Sequence, residues 1–244
     1  THGTRRRRAR IRRNRAQQSQ TRCQRTRNHR NRPGHWQERR TRSALPVWKL
    51  KHTLMRIIAG EFKGRRIPFN NKKHGNARVT SDFVKKAVFS SLGEILCGKY
   101  FLDLFSCSGQ IGLEACSRGA QVVINEPDRR CNRFIAQLID NWHLNDRIYL
   151  YARPAQKLLP QLAHAKALFD IIYLDPPYHQ QLDGHPMSCT ILTRLATSPI
   201  LAPNARILVQ HASRTTLPKS LPNVTLSRQK KYGDTTLSTY TLTF

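Results

Sequence analysis

Over residues 100–244 the apolar positions alternate between short unbroken runs and stretches that recur every three or four residues. The first rhythm is that of a buried strand, the second that of an amphipathic helix. Strands are predicted over 100–105, 121–125, 148–152, 169–174 and 206–210. Helices are predicted over 128–142, 155–162 and 189–196, with another running from the small-residue turn at 106–112 to Gly119. In 169–174, Phe-Asp-Ile-Ile-Tyr-Leu, five of six residues are apolar or aromatic, which marks a central parallel strand covered on both faces. Residues 224–229 and 237–243 alternate like an antiparallel pair joined through 230–234. Strand and helix in alternation, closed by a hairpin, predict an α/β fold: a Rossmann-like, doubly wound, mostly parallel sheet with an antiparallel edge hairpin.

Upstream the rhythm changes. Residues 56–59 and 65–68 read as two short strands separated by glycines, a small basic hairpin, and 70–76 as a polar loop. Thr80 or Ser81 then caps a helix with Val84, Ala87, Val88 and Leu92 facing inward, Lys85 and Lys86 outward, and Gly93 at its end. Residues 1–54 carry almost nothing apolar before Leu45 and are expected to be disordered, since they cannot bury enough surface to offset their ordering entropy. Met55, the first methionine, coincides with the change to globular composition. Residues 55–244 are therefore expected to fold alone, with 1–54 either a basic arm or dispensable.

Charge sharpens the picture. The formal net charge is +29; residues 1–54 hold 18 of the 43 Lys and Arg and one of the 14 acids, so both parts are basic. That excess points to a polyanion, nucleic acid before a membrane surface, because no run approaches the ~18 apolar residues of a spanning helix. The six cysteines are scattered, without a Cys-x-x-Cys pair, and read as free thiols of a reducing cytoplasm. No apolar leader is visible.

Candidate chemistry sits where strands end. After 169–174 the run stops at Asp175-Pro176-Pro177-Tyr178, whose prolines cannot extend a ladder, leaving the Asp175 carboxylate at the carboxyl end, where open α/β sheets bind ligands. A conjugated amine is a poor nucleophile until acceptors on its N–H bonds localise its lone pair. Asp175 and the Pro176 carbonyl suit that task, and Tyr178 offers a face on which a base can stack. Taken alone, the motif is more often a proline-rich turn after a buried strand, with Asp175 as an ordinary turn or cap residue, so context must decide. The turn Ser-Cys-Ser-Gly-Gln-Ile-Gly at 106–112 lets backbone approach a ligand, and Glu126, 23 residues after Asp103, stands near the spacing at which an acid reaches a ribose diol.

Together, Asp-x-Phe-x-x-Ser-Gly-x-x-Gly at 103–112, Glu126 and Asp-Pro-Pro-Tyr at 175–178 resemble class I S-adenosylmethionine-dependent methyltransferases acting on exocyclic amines. Arg-Ile-Ile-Ala-Gly (56–60), Lys-Gly-Arg (63–65) and Arg-x-Thr-x-Asp (78–82) narrow the resemblance to the ribosomal small subunit methyltransferase D family, over residues 55–244. It implies transfer of a methyl group to a guanine N2 of 16S rRNA by a cytoplasmic monomer acting on small-subunit RNA or the assembling 30S subunit, with no metal and no membrane. By position it implies cofactor contacts from Asp103, Phe105, Ser108, Gly109, Gly112, Glu126, the Ala155 backbone, Arg78, Thr80 and Asp82. Asp175, Pro176, Pro177 and Tyr178 take the target base, and Arg56, Lys63, Arg65, Arg66 and Lys85 the RNA. Cys107 replaces a usual glycine. An adenine-N6 DNA methyltransferase and a catalytically inactive RNA-binding assembly factor stay open as alternatives.

Overall fold

The strand that the apolar pattern places at the centre, Phe169–Leu174, does lie in the middle of an eight-stranded sheet in the computed structural model, which describes residues 55–70 and 80–243. The expected disorder of 1–54 and the site residue Arg78 lie outside the described residues. In chain order the elements are β1 (Met55–Arg56), β2 (Arg66–Ile67), α1 (Asp82–Leu92), β3 (Tyr100–Asp103), α2 (Gln110–Ser117), β4 (Gln121–Asn125) and α3 (Arg129–Asn141). There follow β5 (Ile148–Tyr151), α4 (Ala155–His164), β6 (Phe169–Leu174), β7 (Gln181–Leu182), β8 (His185–Pro186) and α5 (Met187–Ala196). The chain closes with β9 (Leu201–Ala212), β10 (Ser220–Leu221), β11 (Val224–Tyr232) and β12 (Thr235–Leu242).

The sheet order is β10-β11-β12-β9-β6-β3-β4-β5. β9, β6, β3, β4 and β5 are mutually parallel, and β12 runs against them between β9 and β11. The doubly wound, Rossmann-like expectation holds with one refinement: β12 of the hairpin is interior, and the two-residue β10 forms the margin beyond β11. Both faces of β6 are covered. Ile171 and Tyr173 join the core with α1, α2 and α3, whereas Phe169, Ile172 and Leu174 join the core with α4 and α5.

One helix face departs from expectation. Ser81 caps α1 by accepting from the Val84 N–H at 3.3 Å, but the buried residues are Val84, Lys85, Val88 and Phe89. Phe89, stacked on Phe101 at 6.4 Å between ring centres, pulls the helix round and carries Lys85 inside, where it is fully buried. Its ammonium has three acceptors, the Arg56 carbonyl at 2.7 Å, Asp82 Oδ1 at 3.1 Å and Gln110 Oε1 at 3.2 Å, one for each donor. A buried charge this well partnered ties β1, α1 and α2 together.

The basic hairpin β1–β2 is also fastened to α2. Glu114, fully buried, accepts from the Ile58 N–H at 2.7 Å and the Ala59 N–H at 3.0 Å, and pairs with Arg118 at 3.0 Å. Ser117 Oγ donates to the Ala59 carbonyl at 2.6 Å and accepts from the Phe62 N–H at 3.0 Å. Gly60 has φ +83°, and a Cβ there would lie 2.0 Å from the Ser117 carbonyl oxygen, so only glycine fits this approach. Cys107, Cys116, Cys131 and Cys189 are free thiols, as expected, whereas Cys97 is disulfide-bonded, contrary to that expectation. No described helix is long and apolar enough to cross a membrane.

Candidate active site

Three acids end three adjacent parallel strands. Asp103 closes β3, and Glu126 and Asp175 are the first residues after β4 and β6. Because the chain leaves β3 for β4 and β5 on one side and returns to β6 on the other, the crevice between β3 and β6 is the switch point of the fold. The pocket found there is lined by Asp103, Phe105, Ser108, Thr80 and Asp175, so residues expected at the cofactor and at the base meet in one cavity.

Asp103 is fully buried. Its Oδ2 accepts from the Gly112 N–H at 3.0 Å, whereas Oδ1 has no partner among the described residues. Burial pushes its carboxyl up to about 7, with only part of the shift offset by hydrogen bonding around Ser106 and Gly112. The turn that follows is held by Glu126, whose Oε2 accepts from the Cys107 N–H at 2.7 Å and whose Oε1 accepts from the Asp128 N–H at 2.8 Å. Each oxygen keeps a second lone pair for a ligand hydroxyl. Glu126 is 8% exposed, and burial raises its carboxyl above the ordinary range. Cys107 adopts φ +50° and Gly109 φ +72°, the left-handed region that favours glycine. Contact with Cys131, and then burial, push the Cys107 thiol well up, so it stays protonated and unreactive.

Gly112 has a structural reason. A Cβ there would sit 2.6 Å from Ile124 Cγ1, so the glycine lets α2 lie against β4. Asn125, fully buried beside Glu126, donates to the carbonyls of Leu104 and Arg153 at 3.1 and 2.9 Å and thereby sets the loop that begins α4 at the buried Ala155.

On the other wall, the Thr80 hydroxyl donates to Asp175 Oδ2 at 3.0 Å, and its carbonyl accepts from Gln110 Nε2 at 2.8 Å. Pro176 is buried and Pro177 exposed. Tyr178 is half-buried, its hydroxyl donating to Thr235 Oγ1 at 3.3 Å and accepting from Gln210 Nε2 at 3.2 Å. Gln210 Oε1 in turn accepts from the Tyr173 hydroxyl at 2.6 Å. A buried amide therefore fixes the Tyr178 ring from behind.

The family model described as Conserved hypothetical protein 95 matches residues 55–241. Ribosomal RNA small subunit methyltransferase D of Haemophilus influenzae is 32% identical over 158 residues, spanning 64% of this chain and 78% of that protein. The chain belongs to the small subunit methyltransferase D family. Its Escherichia coli K12 relative is 29% identical over 191 residues, 76% of this chain and 89% of that one. The solved Escherichia coli protein yhhF superposes with TM-score 0.65 at 26% identity, over 78% of this chain and 98% of that one. A Thermus thermophilus 16S rRNA N2 G1207 methyltransferase, solved with AdoMet and guanosine, gives TM-score 0.55 at 18% identity, over 69% of this chain and 45% of that one, a likeness of fold alone.

Within this family member, Arg56, Lys63 and Arg66 are exposed, and Arg65 is exposed as a residue while its guanidinium lies 4.3 Å from the Trp142 ring centre. Lys85, expected on the outer face and against RNA, is instead buried with three acceptors and out of reach of a phosphate. Asp82 pairs with it. Sequence reading missed Glu114, Gln110, Asn125 and Gln210. Glu114 and Gln210 are buried polar residues in otherwise apolar segments, and that position is the signal that could have found them, whereas Asn125 ends its apolar run and Gln110 follows a polar turn, where nothing in the sequence marks burial.

Proposed function

We propose that the chain transfers a methyl group from S-adenosylmethionine to the exocyclic N2 of a guanine in 16S rRNA. The observation that carries this reading is the pocket lined both by Asp103, whose Oδ1 has no partner among the described residues, and by Asp175 with its Thr80 contact. The donor set fits the cofactor. The buried Asp103 Oδ1, without a partner among the described residues, suits the cation of an amino-acid moiety, Glu126 suits a ribose diol, and the small-residue turn at 106–112 admits close approach. When bound, the cofactor supplies an electrophilic methyl and its own leaving group.

The chain's own residues position and polarise. Thr80 holds Asp175 so that its carboxylate and the Pro176 carbonyl accept the amine's N–H bonds, localising the lone pair toward the methyl donor. Gln210 and Thr235 hold Tyr178 so that its face receives the base. The rate gain is chiefly one of orientation, and the surplus proton leaves once the nitrogen has become cationic. The test is transfer of tritiated methyl to small-subunit RNA followed by nucleoside analysis. N2-methylguanosine is expected; N6-methyladenosine, or label only on DNA, would overturn the reading.

Two binding predictions concern the acids expected at the cofactor, Asp103 in the pocket wall and Glu126 behind the turn that forms it. Glu126→Ala is expected to weaken S-adenosylmethionine binding by ~1–3 kcal/mol, the cost of leaving hydroxyls without a charged acceptor, and calorimetric affinity at the wild-type value would remove Glu126 from the site. Asp103 predicts a pH dependence. Its carboxyl, raised to about 7, is largely neutral below that pH and ionised above it. Only the ionised form attracts the ligand's ammonium, so affinity should rise roughly ten-fold between about pH 5.5 and pH 7. Asp103→Asn should flatten that profile. In the ligand-free protein the sign is opposite: over the same range the folded state keeps a proton that the unfolded chain releases, so stability falls as pH rises.

A further inference from the structure

We propose that the groove between α1 and β11 holds a single-stranded RNA segment flanking the methylated base; this rests on the RNA methyltransferase reading above. One wall carries Phe83, 66% exposed although its neighbour Val84 is buried, and the exposed Lys86. The other carries Arg228, Lys230 and Tyr232, with Leu237 as the floor. Phe83 and Tyr232 meet edge to face at 5.3 Å, and the Lys230 ammonium lies 5.6 Å from the Tyr232 ring centre. No carboxylate lines the groove among the described residues. Cations that can track phosphates, with aromatic faces between them on which bases can stack, are what a single strand requires.

The fold makes this wall by a local irregularity. Register along β11 shifts between Leu226 and Arg228, so Leu226 pairs with Tyr240 while Arg228 pairs with Thr239 and Lys230 with Leu237. Cross-strand partners share a face. Tyr240 belongs to the α4–α5 core and Leu237 to the core under α1, so the bulge at Ser227 turns Arg228, Lys230 and Tyr232 toward α1. Both walls then lead to the pocket. Phe83 follows closely on Thr80, which holds Asp175, and Tyr232 closes β11 at the turn before Thr235, which accepts from Tyr178. A strand lying in the groove therefore arrives where a base is taken.

The experiment compares the full chain with the combined variant Lys86→Ala, Arg228→Ala, Lys230→Ala and, separately, with Phe83→Ala. Each is titrated with protein-free 16S rRNA and with unmethylated small subunits at several salt concentrations. The triple variant should show a salt dependence shallower by ~2, from ~0.7 per lost phosphate contact on a single strand. Phe83→Ala should bind roughly ten-fold more weakly at every salt concentration, with unchanged slope. Affinity for S-adenosylhomocysteine and thermal melting should match the wild type, which separates the effect from misfolding. Normal methyl transfer by the full chain together with an unchanged slope in the triple variant overturns the groove alone. So does a loss seen only with subunits, which points to a ribosomal protein as the occupant. Failure of the full chain to methylate either substrate overturns the RNA methyltransferase reading and the groove with it.

Discussion

Asp175→Ala is expected to lower methyl transfer by roughly 10²–10³-fold, the scale on which a preorganised polar group aimed at developing charge acts, while cofactor affinity stays within a few-fold. The division follows from position. Asp175 stands after β6 on the Thr80 wall, whereas the turn at 106–112 and Glu126 hang from β3 and β4. Thr80→Val keeps the carboxylate and removes the hydroxyl that fixes it at 3.0 Å, so it should lose less, roughly ten-fold, through misorientation. Single-turnover transfer of tritiated methyl measures both. An Asp175→Ala protein that works at the wild-type rate would remove the carboxylate from the chemistry.

Glu114→Ala is expected to destabilise the fold by about 3–5 kcal/mol, because it strands a buried guanidinium and two backbone donors at once. Arg118 is left without its carboxylate over the Phe89 ring, and the N–H groups of Ile58 and Ala59 lose their acceptor. The contrast is Glu61→Ala, which deletes the pair with Arg147. There the glutamate side chain is 46% exposed, and the loss should stay under about 1 kcal/mol. Urea midpoints of the two variants separate the cases. Equal midpoints would show that the hairpin β1–β2 is not fastened through Glu114.

The parallel core was legible because burial on both faces leaves an apolar run that no surface segment imitates: Phe169–Leu174 was placed, bounded and centred correctly. The acids at the strand ends were legible for a related reason, since Asp103 and Glu126 interrupt or end runs where nothing but a ligand or a turn explains a charge. What stayed hidden were contacts between distant segments. Arg-Ile-Ile-Ala-Gly reads as a basic hairpin with an RNA face, yet Gly60 is required by the Ser117 carbonyl and the backbone N–H of Ile58 is held by Glu114, partners more than fifty residues away. Lys85 misled for the opposite reason. Lysine in an amphipathic helix is assigned to water by default, and only the third-dimensional supply of acceptors from Arg56, Asp82 and Gln110 overrules that. The two-residue strands β7, β8 and β10 carry too few positions for any period to show.

Lys85 also gives the protein a chemical reporter. An amine locked by three acceptors and fully buried is shielded from acylating reagents, while the exposed Lys63, and Lys86 next to Lys85 in sequence, should be modified freely. Acylation of Lys85 in the native protein therefore counts the moments at which β1 lifts from α1 and α2. Peptide mass mapping after brief labelling, with and without cofactor, would read that opening residue by residue, without a variant and without any assay of methyl transfer.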